Sequence, residues 1–210
     1  MIGLGDFNGD GSTDLLLRND NGMVGAFMSD GTGWTEFQSL GAEWNVAGVG
    51  DLNNDGIDDV ILHHTVKGFT GAWLIKEQTE NGWGTTADGK VDFASWGNLG
   101  NLEGNMKVVG TGDFNGDGYE DVLISDGKWV GAWMVENGNM TGEVMGFSSS
   151  LNGVIEQIGD FNSDGIDDLR LRDGDILGYL CISVDGTATW QQLGKDGVGD
   201  EWKTKFSAIC

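Results

Sequence analysis

Aspartate, asparagine and glycine recur in one fixed order four times along the chain: DFNGDGSTD from Asp6, DLNNDGIDD from Asp51, DFNGDGYED from Asp113 and DFNSDGIDD from Asp160. The shared pattern, Asp-x-Asn-x-Asp-Gly-x-x-Asp, places oxygen donors at alternate positions and glycine at the sixth, as in the first half of an EF-hand loop. Alternating donors turn inward when a chain wraps an ion, and the glycine permits the sharp bend. Calcium is a hard cation that takes roughly 6–8 oxygens at ~2.3–2.6 Å. The expected side-chain ligands are Asp6, Asn8, Asp10 and Asp14; Asp51, Asn53, Asp55 and Asp59; Asp113, Asn115, Asp117 and Asp121; and Asp160, Asn162, Asp164 and Asp168. The carbonyls of Ser12, Ile57, Tyr119 and Ile166 supply the backbone donors, with water completing each sphere. Four loops therefore predict about four Ca2+ ions. Without a cation each loop would crowd carboxylates together, so ordinary turns account poorly for four full matches. The twelfth position, a bidentate Glu in EF-hands, is here Leu17, Leu62, Ile124 or Leu171, so these loops are not EF-hands.

Other chemistry is thinly represented. His63 and His64 are adjacent on a predicted strand and face opposite sides, which disfavours a shared metal or an acid–base pair. No GxSxG, HExxH or phosphate-binding glycine loop is present. The notable carboxylate pairs belong to the acidic loops rather than to a glycosidase-type dyad. The expectation is a binding module rather than an enzyme; the alternative is a propeller-type polysaccharide-degrading enzyme or a non-catalytic module of one. The ligand candidate is Trp83, in the polar, Gly-rich segment NGWGTTADG. It reads either as an exposed ring that stacks on a sugar or anchors a protein, or as a ring folded back on its own sheet.

The elements that hold the loops follow from the repeat. Successive copies begin at Asp6, Asp51, Asp113 and Asp160, that is 45, 62 and 47 residues apart, and the long interval contains an insertion near Gln78–Lys90. Each loop is preceded by a run ending in Gly-Asp and followed by a compact apolar strand: DLLLR, DVILHH, DVLIS or DLRLR. A turn and a second strand come next (VGAFM, TGAWLI, VGAWMV, LGYLC), then a weaker one around Trp34–Leu40, Val91–Trp96, Glu143–Phe147 and Thr187–Leu193. Asn-Gly and Asp-Gly pairs at the turns tolerate the positive φ of tight hairpins. Each unit is thus about four short antiparallel strands, and the whole is an all-β propeller or a segment of one. The expected blades are 1–41, 42–100, 101–150 and 151–196. Phe27, Trp73, Trp133 and Tyr179 are expected to pack between blades.

GDFNGDGxxD followed by an apolar strand and a GAW-type strand resembles the FG-GAP/VCBS repeat of integrin-α-type propellers and many bacterial extracellular proteins. The resemblance covers nearly the whole chain and implies calcium in each loop, a propeller fold and a secreted or cell-surface setting. It implies no single activity, because that family includes adhesins, lectins and modules attached to enzymes. The aromatic usual after the loop is replaced by Leu17, Leu62, Ile124 and Leu171, and Arg170 breaks the apolar pattern of the fourth copy.

Composition agrees. The net charge of −23 comes from 34 acidic and 11 basic residues, which repels nucleic acid and anionic membranes and attracts cations. No run approaches the ~20 apolar residues of a membrane span. Two cysteines, Cys181 and Cys210, permit one disulfide or two thiols. The sequence enters its first repeat at once, without a visible signal peptide, and its last residues, EWKTKFSAIC, parallel EWNVAGVGD, with Trp202 matching Trp44. Residues 197–210 are therefore expected to open a fifth blade, with an excised part of a longer propeller favoured over completion by another chain and over closure in which this strand displaces or augments the first one. The expected ligand is carbohydrate or protein.

Overall fold

The computed structural model describes residues 1–77, 93–148 and 153–195. Trp83, the segment 78–92 and the terminal 196–210 with Trp202 lie outside them. The described residues hold sixteen strands and no helix. The first sheet comprises β1 (Gly3–Gly5), β2 (Asp14–Arg18), β3 (Met23–Met28) and β4 (Gly33–Ser39). The second comprises β5 (Trp44–Gly50), β6 (Asp59–His64), β7 (Phe69–Ile75) and β8 (Ala94–Asn101). The third is β9 (Lys107–Gly112), β10 (Asp121–Ser125), β11 (Val130–Glu136) and β12 (Asn139–Ser148). The fourth is β13 (Val154–Gly159), β14 (Asp168–Asp173), β15 (Ile176–Ile182) and β16 (Ala188–Lys195). In every sheet the strands neighbour one another in chain order, the antiparallel meander of a propeller blade.

The chain divides into two compact units. One is Met1–Gly104 with Val135–Met140; the other is Asn105–Met134 with the remainder. In the first, Leu16, Val24, Ala26 and Met28 of the first sheet share a buried cluster with Val60, Leu62, Trp73 and Ile75 of the second. Aromatic rings join the two layers. Phe7 meets Phe37 edge-on at 5.8 Å, Phe37 stacks on Phe93 at 5.6 Å, and Phe93 meets Trp73 at 5.2 Å. In the second unit, Leu123, Val130, Ala132 and Met134 of the third sheet cluster with Leu169, Leu171, Leu180 and Ile182 of the fourth. Both units obey the period-2 logic of strands: alternate side chains of one strand serve opposite faces.

A tryptophan crosses a glycine in each sheet. A Cβ added at Gly25, Gly71 or Gly178 would lie 2.6, 2.2 or 2.5 Å from the ring of Trp34, Trp96 or Trp190, two residues before the glycine's partner on the last strand. In the third sheet Trp129, just before β11, fills the same space over Gly131.

The structure corrects three expectations. Phe27, Trp73 and Trp133 stand opposite Leu15, Val60 and Val122, and the residue in that place in the fourth sheet is Leu180, opposite Leu169. Tyr179 is one place earlier, on the other face, against Phe161 with ring centres 4.8 Å apart. Aligning the strands on Gly178, rather than on the aromatic, gives this register. Phe27, expected in the core, is 49% exposed, whereas Trp73 and Trp133 are buried. The last strand of the second sheet also runs on past Trp96 to Asn101, because Trp96 pairs with Trp73 in mid-strand.

Candidate acidic-loop sites

Each acidic loop joins the first and second strands of its sheet, and its conformation is set by two left-handed residues. Position four is Gly9, Asn54, Gly116 or Ser163, with φ of 72, 55, 77 and 64°. Position six is Gly11, Gly56, Gly118 or Gly165, with φ of 81–89°. The invariant glycine at six is what such φ values favour; Asn54 adopts the left-handed region more readily than most side chains.

The side chains at positions one, three and five turn into the loop. Asp6 Oδ1 accepts the N–H groups of Gly9 and Asp10 at 2.8 and 3.2 Å, and its Oδ2 accepts that of Gly11 at 2.7 Å. Asn8 Oδ1 accepts from Asp10 N–H at 3.1 Å, and Asp10 Oδ1 from Ser12 N–H at 2.7 Å. The latter bond is the main cause holding the Asp10 carboxyl below its usual value. Asp51, Asn53 and Asp55 repeat the scheme, with the N–H groups of Gly56, Asp55 and Ile57 as donors. Asp113, Asn115 and Asp117 repeat it in the third loop, and Asp160, Asn162 and Asp164 in the fourth.

The ninth residue is placed differently. Asp14, Asp59, Asp121 and Asp168 are all fully buried. Asp59 accepts Leu52 N–H on Oδ2 at 3.0 Å and Ile75 N–H on Oδ1 at 2.8 Å. Asp14 does the same with Phe7 and Ser29, and Asp168 with Phe161 and Ile182; Asp121 accepts from Phe114. In the first, second and fourth sheets the carboxyl thus stitches the loop entrance to the end of the third strand; the position-two side chains Phe7, Leu52 and Phe114 are fully buried, and Phe161 is half-buried. Burial pushes the Asp59 carboxyl up to about 8 and Asp168 up to about 6, against the backbone N–H bonds that lower them.

Sequence reasoning passed over position eight. Asp58 Oδ2 accepts the N–H of Asp6 in the neighbouring loop at 2.7 Å, and Asp58 N–H donates to the Asp6 carbonyl at 2.7 Å. The second unit repeats this reciprocal pair between Asp167 and Asp113, at 2.9 and 2.8 Å. Burial is the largest cause raising both carboxyls. The glycine of the preceding Gly-Asp makes room: a Cβ on Gly5 or Gly112 would fall 2.8 or 2.6 Å from the latching carboxylate. Ile57 and Ile166, expected as carbonyl donors, are buried, with their side chains beneath Gly9 and Gly116 of the neighbouring loop. The signal available in sequence was the recurrence of an acid at position eight in the second, third and fourth copies, as Asp58, Glu120 and Asp167.

Of the five expected donors per loop, two carboxylates, an amide and a carbonyl match the hard-oxygen chemistry of calcium, while the position-nine carboxylate is buried against backbone N–H groups. The residues that would hold the ion are those at positions one, three and five, with the position-seven carbonyl. Among the described residues, no three acidic, His or Cys side chains converge on one point suited to a metal ion. Their oxygens instead close on the loop's own N–H groups. A cation would share the lone pairs left over.

The residues at position thirteen serve structure. Arg18 donates to the carbonyls of Leu40, Gly41 and Trp44, pinning the link between the first two sheets. Ser125 donates to Trp129 O, and Arg172 pairs with Glu156. His63 Nδ1 lies 3.1 Å from Thr70 Oγ1; His64 Nδ1 accepts the N–H of Lys67 and packs on Trp44. Cys181 is disulfide-bonded. A depression of about 410 Å3 beside the fourth loop is lined by Asn162, Asp164, Ser183, Thr189 and Gln191 with Cys181 and Ile182. In the second sheet, Lys76 N–H donates to Phe93 O. Lys76 directly follows Ile75, whose N–H donates to Asp59.

Blade-type sheets, each opened by an Asx-closed acidic loop, define a β-propeller repeat protein. Residues 6–62, which span the first two loops, match the FG-GAP-like repeat. Integrin alpha-4 of Xenopus laevis is 28% identical over 137 residues, covering 57% of this chain but only 13% of that protein. Among solved structures, one described as the basis of recognition of non-reducing terminal N-acetylglucosamine by an Agrocybe aegerita lectin aligns with a TM-score of 0.48 at 14% identity. That alignment covers 92% of this chain and 66% of the other. The Photorhabdus luminescens Tc holotoxin pore aligns with a TM-score of 0.38 at 15% identity, over 91% of this chain and 12% of that one.

Proposed function

We propose that the protein is a calcium-stabilised recognition module of a secreted or cell-surface protein, with carbohydrate or protein as its ligand and no catalytic step of its own. The observation that carries this reading is the acidic loop, repeated four times with the same donors and the same left-handed backbone at positions four and six. Carboxylate and amide oxygens stand at positions one, three and five of all four loops, the donor chemistry that a hard cation takes. Each loop would hold one Ca2+, and the likeness to an integrin α chain supports an extracellular setting.

Two places suit the ligand. One is Trp83, whose indole offers a face for a sugar ring or a protein side chain. The depression beside Asn162 and Asp164 offers hydroxyl and amide groups suited to a polyol. The test is melting in calcium and in chelator, followed by a glycan array under both conditions. The expected result is a higher melting temperature in calcium, with ~2.7 kcal/mol per site when free calcium is about 100 times its dissociation constant, and glycan or protein capture that needs the ion. An unchanged melting temperature, with no calcium in the purified protein, would overturn the reading.

A further inference from the structure

The aspartate at position eight serves a loop other than its own. In the second loop this residue is Asp58. Its N–H donates to the Asp6 carbonyl and its Oδ2 accepts the Asp6 N–H, both at 2.7 Å. Asp6 is position one of the first loop, the residue whose carboxylate gathers the N–H groups of Gly9, Asp10 and Gly11. Asp58 therefore grips the backbone of the first loop's leading donor. It has little room to shift, since a Cβ on Gly5 would fall 2.8 Å from its Oδ2 and 3.0 Å from its own Cβ. On the other side Asp58 follows Ile57, whose carbonyl is the second loop's expected backbone donor and whose N–H is held by Asp55 at 3.0 Å. A short run of bonds thus joins Asp55, a donor of the second loop, to Asp6, a donor of the first. In the other unit Asp164, Ile166, Asp167 and Asp113 form the same run: Ile166 N–H donates to Asp164 at 2.9 Å, and the Asp167–Asp113 pair closes at 2.9 and 2.8 Å.

Such a run makes the two loops of a unit one element. With an ion in the second loop, Asp55 and the Ile57 carbonyl lose their freedom, and so do the residues that lead into Asp58. Asp58 then holds Asp6 where the first loop needs it, and part of the ordering that binding there requires is already done. Charge works in the same direction. The Asp58 carboxylate interacts with the position-one carboxylates of both loops, Asp6 and Asp51, and Asp167 likewise with Asp113 and Asp160. With both loops of a unit filled, that one negative group attracts both cations and offsets their mutual repulsion.

We propose that Asp58 and Asp167 are positioning residues that make calcium binding positively cooperative within each unit, the first loop with the second and the third with the fourth. This rests on the calcium reading above and adds the regulation of those sites. Coupling between sites is reciprocal, a signature that mere support of the fold lacks. The test titrates the intact chain with calcium and follows the amide NMR signals of Gly11 and Gly56, at position six of the first and second loops. Asp55→Ala empties the second loop and should raise the calcium midpoint at Gly11 about 5-fold or more. Asp10→Ala should raise the midpoint at Gly56 by the same factor. In Asp58→Ala, adding Asp55→Ala should leave the Gly11 midpoint where it was. Thr13→Ala, at the exposed position eight of the first loop, should leave the coupling intact. Asp55→Ala and Asp10→Ala both keep Asp58, so the reciprocal comparison decides even if Asp58→Ala fails to fold. Should neither amide respond to calcium, the calcium reading falls and the coupling falls with it. Should both respond, each with a midpoint indifferent to the other loop, or should the coupling survive in Asp58→Ala, the loops bind calcium and the proposal is overturned.

Discussion

The buried aspartate at the ninth position and the exposed aspartate at the fifth should separate under mutation, although the sequence pattern presents them as equivalent ligands. Asp59 satisfies two buried N–H groups, those of Leu52 and Ile75. In Asp59→Ala both lose their partner, and each orphaned buried donor costs about 1–3 kcal/mol, so the variant should lose about 2–6 kcal/mol even in chelator. Asp55 is exposed and accepts one N–H, from Ile57. Asp55→Ala should cost about 0.5–1.5 kcal/mol in chelator, yet remove the calcium increment of the second loop, ~2.7 kcal/mol at about 100-fold saturation. Urea titrations of the two variants, each with calcium and with chelator, supply the four numbers. Amide hydrogen exchange at Leu52 and Ile75 reads the stitch itself and should accelerate only in Asp59→Ala. Should Asp55→Ala prove the more damaging in chelator, or should those two amides keep their protection without the carboxylate, the reasoning fails.

Acid should act with opposite sign on the two forms. A carboxyl with its folded pKa raised, as for Asp59 near 8 and Asp168 near 6, binds protons more readily folded than unfolded. Its contribution is fully present below the unfolded value of ~3.9 and is lost as pH rises through the folded one. In chelator the urea midpoint should therefore climb as pH falls from about 8 toward 4, whereas in calcium, where protons compete with the ion, it should level or drop. A chelated midpoint that declines throughout that window contradicts the burial of these groups. The position-eight latch is tested by Asp58→Ala, which unpairs the Asp6 N–H and should cost about 1–3 kcal/mol, with faster exchange at that amide. Asp167→Ala should do the same at Asp113. Unchanged exchange at both would show the loops to be independent.

The architecture was legible in the sequence because its signals are local. An acidic loop, an apolar strand of four or five residues and a Gly-containing turn specify a meander before any long-range contact forms, and the four sheets follow that order. What escaped depends on neighbours. Leu180 rather than Tyr179 occupies the Trp73 place because Gly178, under the Trp190 ring, fixes the register, and an aromatic is a weaker marker than a glycine on which a side chain lies. The exposure of Phe27 could not be read from β3, since an identical strand is buried wherever another sheet covers it. The latch was hidden for a similar reason. Asp58 looks like one more acid within its own loop, and its partner Asp6 lies 52 residues away. The ninth aspartate was recognised as a ligand candidate, but its two N–H partners lie on other segments, and only the fold brings them to it.

The tryptophans laid over Gly25, Gly71, Gly131 and Gly178 give each sheet a fluorophore of its own. Each ring spans backbone that has no Cβ, so its emission reports the closeness of two strands of a single sheet. Replacing all but one of Trp34, Trp96, Trp129 and Trp190 with phenylalanine, along with the remaining indoles, would leave a chain that glows from one chosen sheet. Four such chains would record, sheet by sheet, the order in which a repeat protein comes apart.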